Sequence, residues 1–133
     1  MIQRIFGSVA LFGLVAIGTL QAHHSLAGVY DMKAEKELAG TVDKVQFTNP
    51  HGSLSIKVKN EDGTETDWVF TLGSVSALAQ RGVGKIGPNA LHVGDAIKVK
   101  FIPAKDGHPL GFLKTVVYPD GHEIVVSGGG PND

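Results

Sequence analysis

The chain has 133 residues, 12 Lys+Arg against 13 Asp+Glu, a formal net charge of −1 and no cysteine. Interspersed charge near neutrality supplies no electrostatic footprint for nucleic acid, and the absence of cysteine excludes disulfide stapling and thiol chemistry. The length suits a single domain with a modest core.

The chain opens with one positive charge, Arg4, and a mostly apolar run from Ile5 to Leu20 that carries no charge and ends at Leu20-Gln21-Ala22. This is the three-part pattern of a secretory signal, and the run is shorter than the ~20 apolar residues of a membrane-spanning helix. Cleavage is expected after Ala22, with no stable membrane anchor left behind and the periplasm or the exterior as destination. Arg4 is the only charge lost, so 12 basic residues become 11 and the formal charge becomes −2. The expected divisions are a signal peptide over 1–22, an N-terminal arm over 23–37, a β-domain over 38–126 and a disordered tail over 127–133.

The arm contains Tyr30-Asp31 and a charged run from Lys33 to Glu37, which reads as a helical turn or a segment lying on the domain. From Leu38 the period changes to two. Thr41 to Thr48 is strand-forming, with Val45 and Phe47 on one face; Val42 has the wrong parity, which places a bulge near Asp43-Lys44. Asn49-Pro50-His51-Gly52 is a turn. Leu54, Ile56 and Val58 then alternate with Ser55, Lys57 and Lys59, a half-buried second strand. A turn at Asn60-Glu61-Asp62-Gly63 leads to a third strand with Thr66, Trp68, Phe70 and Leu72 on one face.

Ser74 to Gly82 is the convincing helix, with Ser74 as N-cap and Gly82 as the left-handed terminator. Val75, Leu78 and Ala79 form its expected inward stripe. A glycine-punctuated connection leads to a fourth strand over 95–102, with Ile97, Val99 and Phe101 inward. A hairpin loop over 104–109, a fifth strand over 110–118 and a short sixth over 123–126 complete the domain. Three strands, a short helix and two further strands are the order of an all-β, OB-like Greek-key barrel of five to six strands.

The chemically pointed residues are histidines. After cleavage, His23 would offer both its amine and its ring, and His24 a second imidazole. His51 projects from the rigid proline turn, and His108 lies in the loop before the fifth strand; both loops belong to the usual OB binding region. Neutral nitrogen donors suit Cu(II) first, with Zn as an alternative. His23, His24 and His51 are the candidate metal ligands and His108 a possible additional one. His92 and His122 read as surface residues. Ser53, Ser74 and Ser76 lack a nucleophile elbow, and Asp43, Glu61, Asp62 and Asp67 sit at turns or outward positions with no acid–base pairing. Trp68 shares a face with Phe70 and Leu72 and reads as core rather than a stacking platform.

Taken together, His23-His24-Ser25, Tyr30-Asp31, Gly40-Thr41-Val42, Asn49-Pro50-His51, Trp68, Leu78-Ala79-Gln80-Arg81-Gly82, Val93-Gly94-Asp95 and Asp106-Gly107 carry a resemblance over nearly the whole chain after Ala22. The chain resembles a family of small exported bacterial proteins that share a domain of unknown function. Phe47, two residues before Asn49, fits the aromatic often found there; Thr71 stands where that pattern often has Glu, so no role for a carboxylate carries over. His23, His24 and His51 fall on the family's motifs; His92, His108 and His122 do not. The resemblance implies export and a small β-domain and brings no activity with it. An N-terminal histidine that chelates through its amine is also chemically similar to the copper brace of exported oxidative polysaccharide enzymes and periplasmic copper carriers.

The sequence thus points to an exported, non-catalytic metal-binding protein. The alternative is a metal-free periplasmic OB-like module for a peptide, glycan or protein partner, using the Trp68 region and the loops of His51 and His108. Nucleic acid is not an expected partner.

Overall fold

A computed structural model describes residues 26–127. Residues 1–25, which include the expected signal peptide, His23 and His24, and residues 128–133 lie outside the described residues. The elements are β1 (Lys36–Gln46), β2 (Ser53–Lys59), β3 (Glu65–Thr71), helix α1 (Val75–Gln80), β4 (Ala96–Pro103), β5 (Leu110–Val117) and β6 (Glu123–Val125). A single helical turn over 26–29 precedes β1.

The strands form one sheet in the order β3-β2-β1-β4-β5-β6, and β5 closes onto β3 in parallel. This is the five-stranded Greek-key barrel of the OB type, with one added strand. Closure pairs only Val69–Thr71 with Leu110–Phe112. Beyond Phe112 the same edge of β5 is covered by β6, where Thr115 to Val117 pair with Val125 to Glu123. β6 therefore protects the stretch of backbone that β3 does not reach.

The parity change in β1 is a bulge. Val42 pairs with Ile56 and Lys44 with Ser55, leaving Asp43 as the extra residue. That insertion turns Val42 inward, where it is buried with Leu54, Ile56, Phe70, Val99, Phe101, Leu113 and Val116. Trp68 is partly buried and packs on the same core, stacked on Phe70 with ring centroids 6.1 Å apart. A second register shift, between Lys100 and Phe101, leaves Lys114 unpaired in β5. The carbonyl of Lys114 accepts the N–H groups of Val126 (2.7 Å) and Ser127 (3.2 Å). Ser127, assigned to the tail from sequence, is buried.

α1 plugs one end of the barrel, but through fewer residues than its periodicity suggests. Ser74 caps it, its Oγ accepting the Ala77 N–H at 3.2 Å, and Gly82 follows at φ +72°. Of the expected stripe only Leu78 is buried; Val75 and Ala79 are exposed. A helix this short touches the barrel end at one point. The connection after it supplies the rest of the plug, with Val83 and Leu91 in the same core.

A smaller apolar cluster lies on the outside of the wall. Ile102 and Phe112 are register partners, and both are buried beneath Tyr30, with Leu26 and Leu110 packed against them. The helical turn lies at 26–29, ahead of the charged run; that run is not helical and leads into β1 at Lys36, while Tyr30 lays the segment before it on the domain.

Candidate functional site

The arm is fixed to the barrel by backbone and side-chain contacts. Tyr30 forms an antiparallel bridge with Ala104. The Lys105 N–H donates to the Val29 carbonyl and the Asp31 N–H to the Pro103 carbonyl, each at 2.9 Å. The Tyr30 hydroxyl lies 2.8 Å from Thr71 Oγ1. Its ring packs on Phe112 at a centroid distance of 5.9 Å. The arm is therefore clamped to the β4–β5 loop at one point and to the end of β3 at another.

These two points lead to the two histidine-bearing loops. Thr71 pairs with Ser53, two residues after His51. The β1–β2 turn that carries His51 is itself tied down: Thr48 Oγ1 donates to the His51 carbonyl at 2.9 Å, and Asn49 Oδ1 accepts the Val75 N–H at 3.1 Å. Asn49 thus satisfies an orphan donor at the start of α1 beside the one that Ser74 takes. Gly52 allows the return, since a Cβ there would meet the Gln46 carbonyl oxygen at 2.6 Å. The His51 side chain is exposed.

The β4–β5 loop holds His108 in a tight Asx-type turn. Asp106 Oδ1 accepts the His108 N–H at 3.0 Å, and Asp106 Oδ2 lies 2.8 Å from His108 Nδ1. These bonds, the backbone one foremost, hold the Asp106 carboxyl below its usual range. The same tripeptide recurs at Asp120-Gly121-His122 with the same backbone bond, 3.0 Å long. There the His122 ring is hydrogen-bonded on both sides, to Asp120 Oδ1 through Nδ1 and to Asn89 Oδ1 at 2.9 Å through Nε2, and it stacks on Tyr118. His92 Nδ1 sits 3.9 Å from Asp95. So the two histidines read as plain surface residues differ. His92 has only a loose charge partner, whereas His122 belongs to a network that holds the connection after α1. The repeated Asp-Gly-His spacing is the sequence signal for Asp106 and Asp120.

Among the described residues no three His, Asp or Glu side chains converge on a point that could hold a metal. His51 and His108 stand on separate loops, after β1 and after β4. A separate open groove of about 860 Å³ runs over Ala39, Gly40, Ala96 and Ile97, with Lys57, Lys59 and Lys98 along it. Lys57 is paired with Asp43 and Asp67, and Lys98 with Glu37. That pairing leaves the groove weak as an anion site. Trp68 is not among its lining residues.

Fold and site together define a small OB-like barrel with an N-terminal arm clamped to the β4–β5 loop and to the end of β3. The chain belongs to a family of unknown function (DUF6152), whose model matches residues 13–113. Among solved structures it is similar to Rim1, a mitochondrial single-stranded DNA binding protein of S. cerevisiae. The identity is 12%, the match covers 65% of this chain and 93% of that one, and the TM-score is 0.47. No curated protein matches the chain. No helix among the described residues is long and apolar enough to cross a membrane.

Proposed function

We propose that the protein is exported, loses residues 1–22 and binds a metal ion without catalysis, Cu(II) first and Zn second, through His23, His24 and His51. It then serves as a carrier, buffer or sensor. The observation that carries this reading is the clamp on the arm. The Lys105–Val29 hydrogen bond fastens the segment after His24 to the His108 loop, and the Tyr30–Thr71 contact fastens it to the end of β3, where Thr71 pairs with Ser53, two residues after His51. His24 precedes Leu26 by two residues, a reach of about 7 Å of extended chain. A free amine and two imidazoles at such a point form a nitrogen-rich set on which Cu(II) outcompetes other divalent ions. A deprotonated amide between the two histidines supplies a further nitrogen.

The test is a titration of the chain beginning at His23 with Cu(II), alongside its His51→Ala variant. Stoichiometric binding that the variant loses, with an unchanged far-ultraviolet circular dichroism spectrum, supports the reading. Equal binding by both proteins removes His51 from the ligand set.

A further inference from the structure

The described chain contains four histidines, His51, His92, His108 and His122. Among the described residues, only His122 has a hydrogen-bond partner at each ring nitrogen: Nδ1 meets Asp120 Oδ1, and Nε2 meets Asn89 Oδ1 at 2.9 Å. Both partner atoms are acceptors. The Asp120 carboxyl is held below its usual range, first by the His122 backbone N–H and then by the His122 ring, so at neutral pH it is ionised and has no proton to give. The Asn89 amide is oriented by its other end. Its Nδ2 donates to the Arg81 carbonyl at 3.3 Å, which leaves Oδ1 toward the ring. A neutral imidazole carries one N–H and one lone pair, whereas the imidazolium donates at both nitrogens. Two acceptors on opposite sides of one ring are therefore satisfied together only by the imidazolium. That ring lies flat on Tyr118, with 4.4 Å between centroids and 4° between planes, so a cation there meets the negative face of an aromatic. The charged groups on the surrounding elements have partners of their own. Glu123 pairs with Lys100 at 2.9 Å, and Arg81 donates to the Val125 carbonyl at 3.0 Å. Asp95, whose charge reaches Tyr118, accepts the His92 N–H at 2.9 Å.

These contacts join two parts of the fold that are distant in sequence. Asp120 and His122 form the β5–β6 turn, and Asn89 belongs to the connection whose Val83 and Leu91 plug the barrel. We propose that His122 is a proton-operated latch: as the imidazolium it ties the β5–β6 turn to the plug, and on losing a proton it lets go of Asp120 or of Asn89. Deprotonation leaves a ring lone pair facing an oxygen, so one of the two contacts opens. The latched state holds one more proton than the open one. The latch therefore closes as pH falls and opens as pH rises, within the range of about pH 5 to 8 where imidazoles change charge. The low-lying Asp120 carboxyl stays an acceptor throughout that range. None of the proposed metal ligands takes part, so the latch stands independently of the metal reading.

Two substitutions on opposite sides of the ring test the latch. Asn89→Ala removes the acceptor at Nε2. Asp120→Asn keeps an oxygen for the His122 N–H, so the turn survives, and offers Nδ1 an amide donor instead of a carboxylate. In each variant a neutral ring satisfies what remains. The His51 ring, without a partner among the described residues, is the internal reference. Nitrogen NMR of the chain beginning at His23 is followed from acid to alkaline pH. At a pH where the His51 ring carries one proton, the His122 ring of the parent should carry two, and in each variant it should carry one. Amide exchange, corrected for its intrinsic rate, gives the second readout. The Tyr118 N–H donates to the His122 carbonyl at 2.9 Å. Its protection in the parent should fall about 2- to 10-fold from about pH 5 to pH 8, and in both variants it should stay level. The proposal is overturned if His51 and His122 lose their second proton together in the parent. It is equally overturned if the fall in protection is the same in the parent and in Asp120→Asn, the variant that keeps the turn.

Discussion

The hydroxyl of Tyr30 lies 2.8 Å from Thr71 Oγ1, across 41 residues of chain. It joins the arm to the last residue of β3, on the outer face of the barrel. The ring below it covers Ile102 and Phe112, so hydrogen bond and apolar burial act at the same place. Tyr30→Phe keeps the ring and removes the bond. Chemical denaturation should show a loss of about 0.5–1.5 kcal/mol. Tyr30→Ala also strips the cover from Ile102 and Phe112 and should cost about 3–5 kcal/mol, the range for deleting a buried aromatic.

The plug is tested by contrasting two residues of α1. Leu78 is fully buried, whereas Val75 is 37% exposed. Leu78→Ala should cost about 2–5 kcal/mol. Val75→Ala should stay within about 0.5 kcal/mol. Thermal melts of the two variants check the ordering.

Gly111 stands where β5 closes against β3. A Cβ there would lie 2.4 Å from Phe101 Cδ2 and 3.0 Å from Phe70 Cδ1. Both rings are buried with no exposed surface, so neither can swing away. Gly111→Ala should therefore destabilise by about 1–3 kcal/mol through overpacking. A stability equal to the parent's would show that the closure is looser than its geometry.

Much of this architecture was legible in local pattern. Alternation gave the strands, the misplaced parity of Val42 gave the bulge at Asp43, and Ser74 and Gly82 gave the ends of the helix. What was hidden depends on distant partners. Ile102 follows the inward Phe101, so alternation alone makes it an outward residue; it is buried because Tyr30, far away in sequence, lies over it. Ala79 has the spacing of a core residue yet is exposed, while Val83 and Leu91, from a connection without periodic pattern, join the core. At the site, the sequence offered histidines but not their states, because the bond to Asp106 or to Asn89 decides which ring nitrogen is free.

Tyr118 sets an alkaline limit. Burial, with a lesser contribution from the charge of Asp95, pushes its hydroxyl up to about 12 from an ordinary 10.0. The folded state therefore keeps a proton that the unfolded state loses first. This group leaves stability unchanged below about pH 10 and lowers it from there up to about pH 12. Tyr118→Phe should remove that part of the alkaline loss. At neutral pH it should cost about 0.5–1.5 kcal/mol, since the hydroxyl donates to the Asn89 carbonyl at 2.6 Å. Urea denaturation across the alkaline range measures both effects.

The central claim, a metal site built on the new N-terminus, is tested most directly by one calorimetric titration with Cu(II). The chain beginning at His23 is compared with the same chain carrying one extra alanine ahead of it. The account predicts tight one-to-one binding in the first and its loss in the second, because the added residue moves the free amine away from the His23 ring. Weak binding, or equal binding in both, would contradict it.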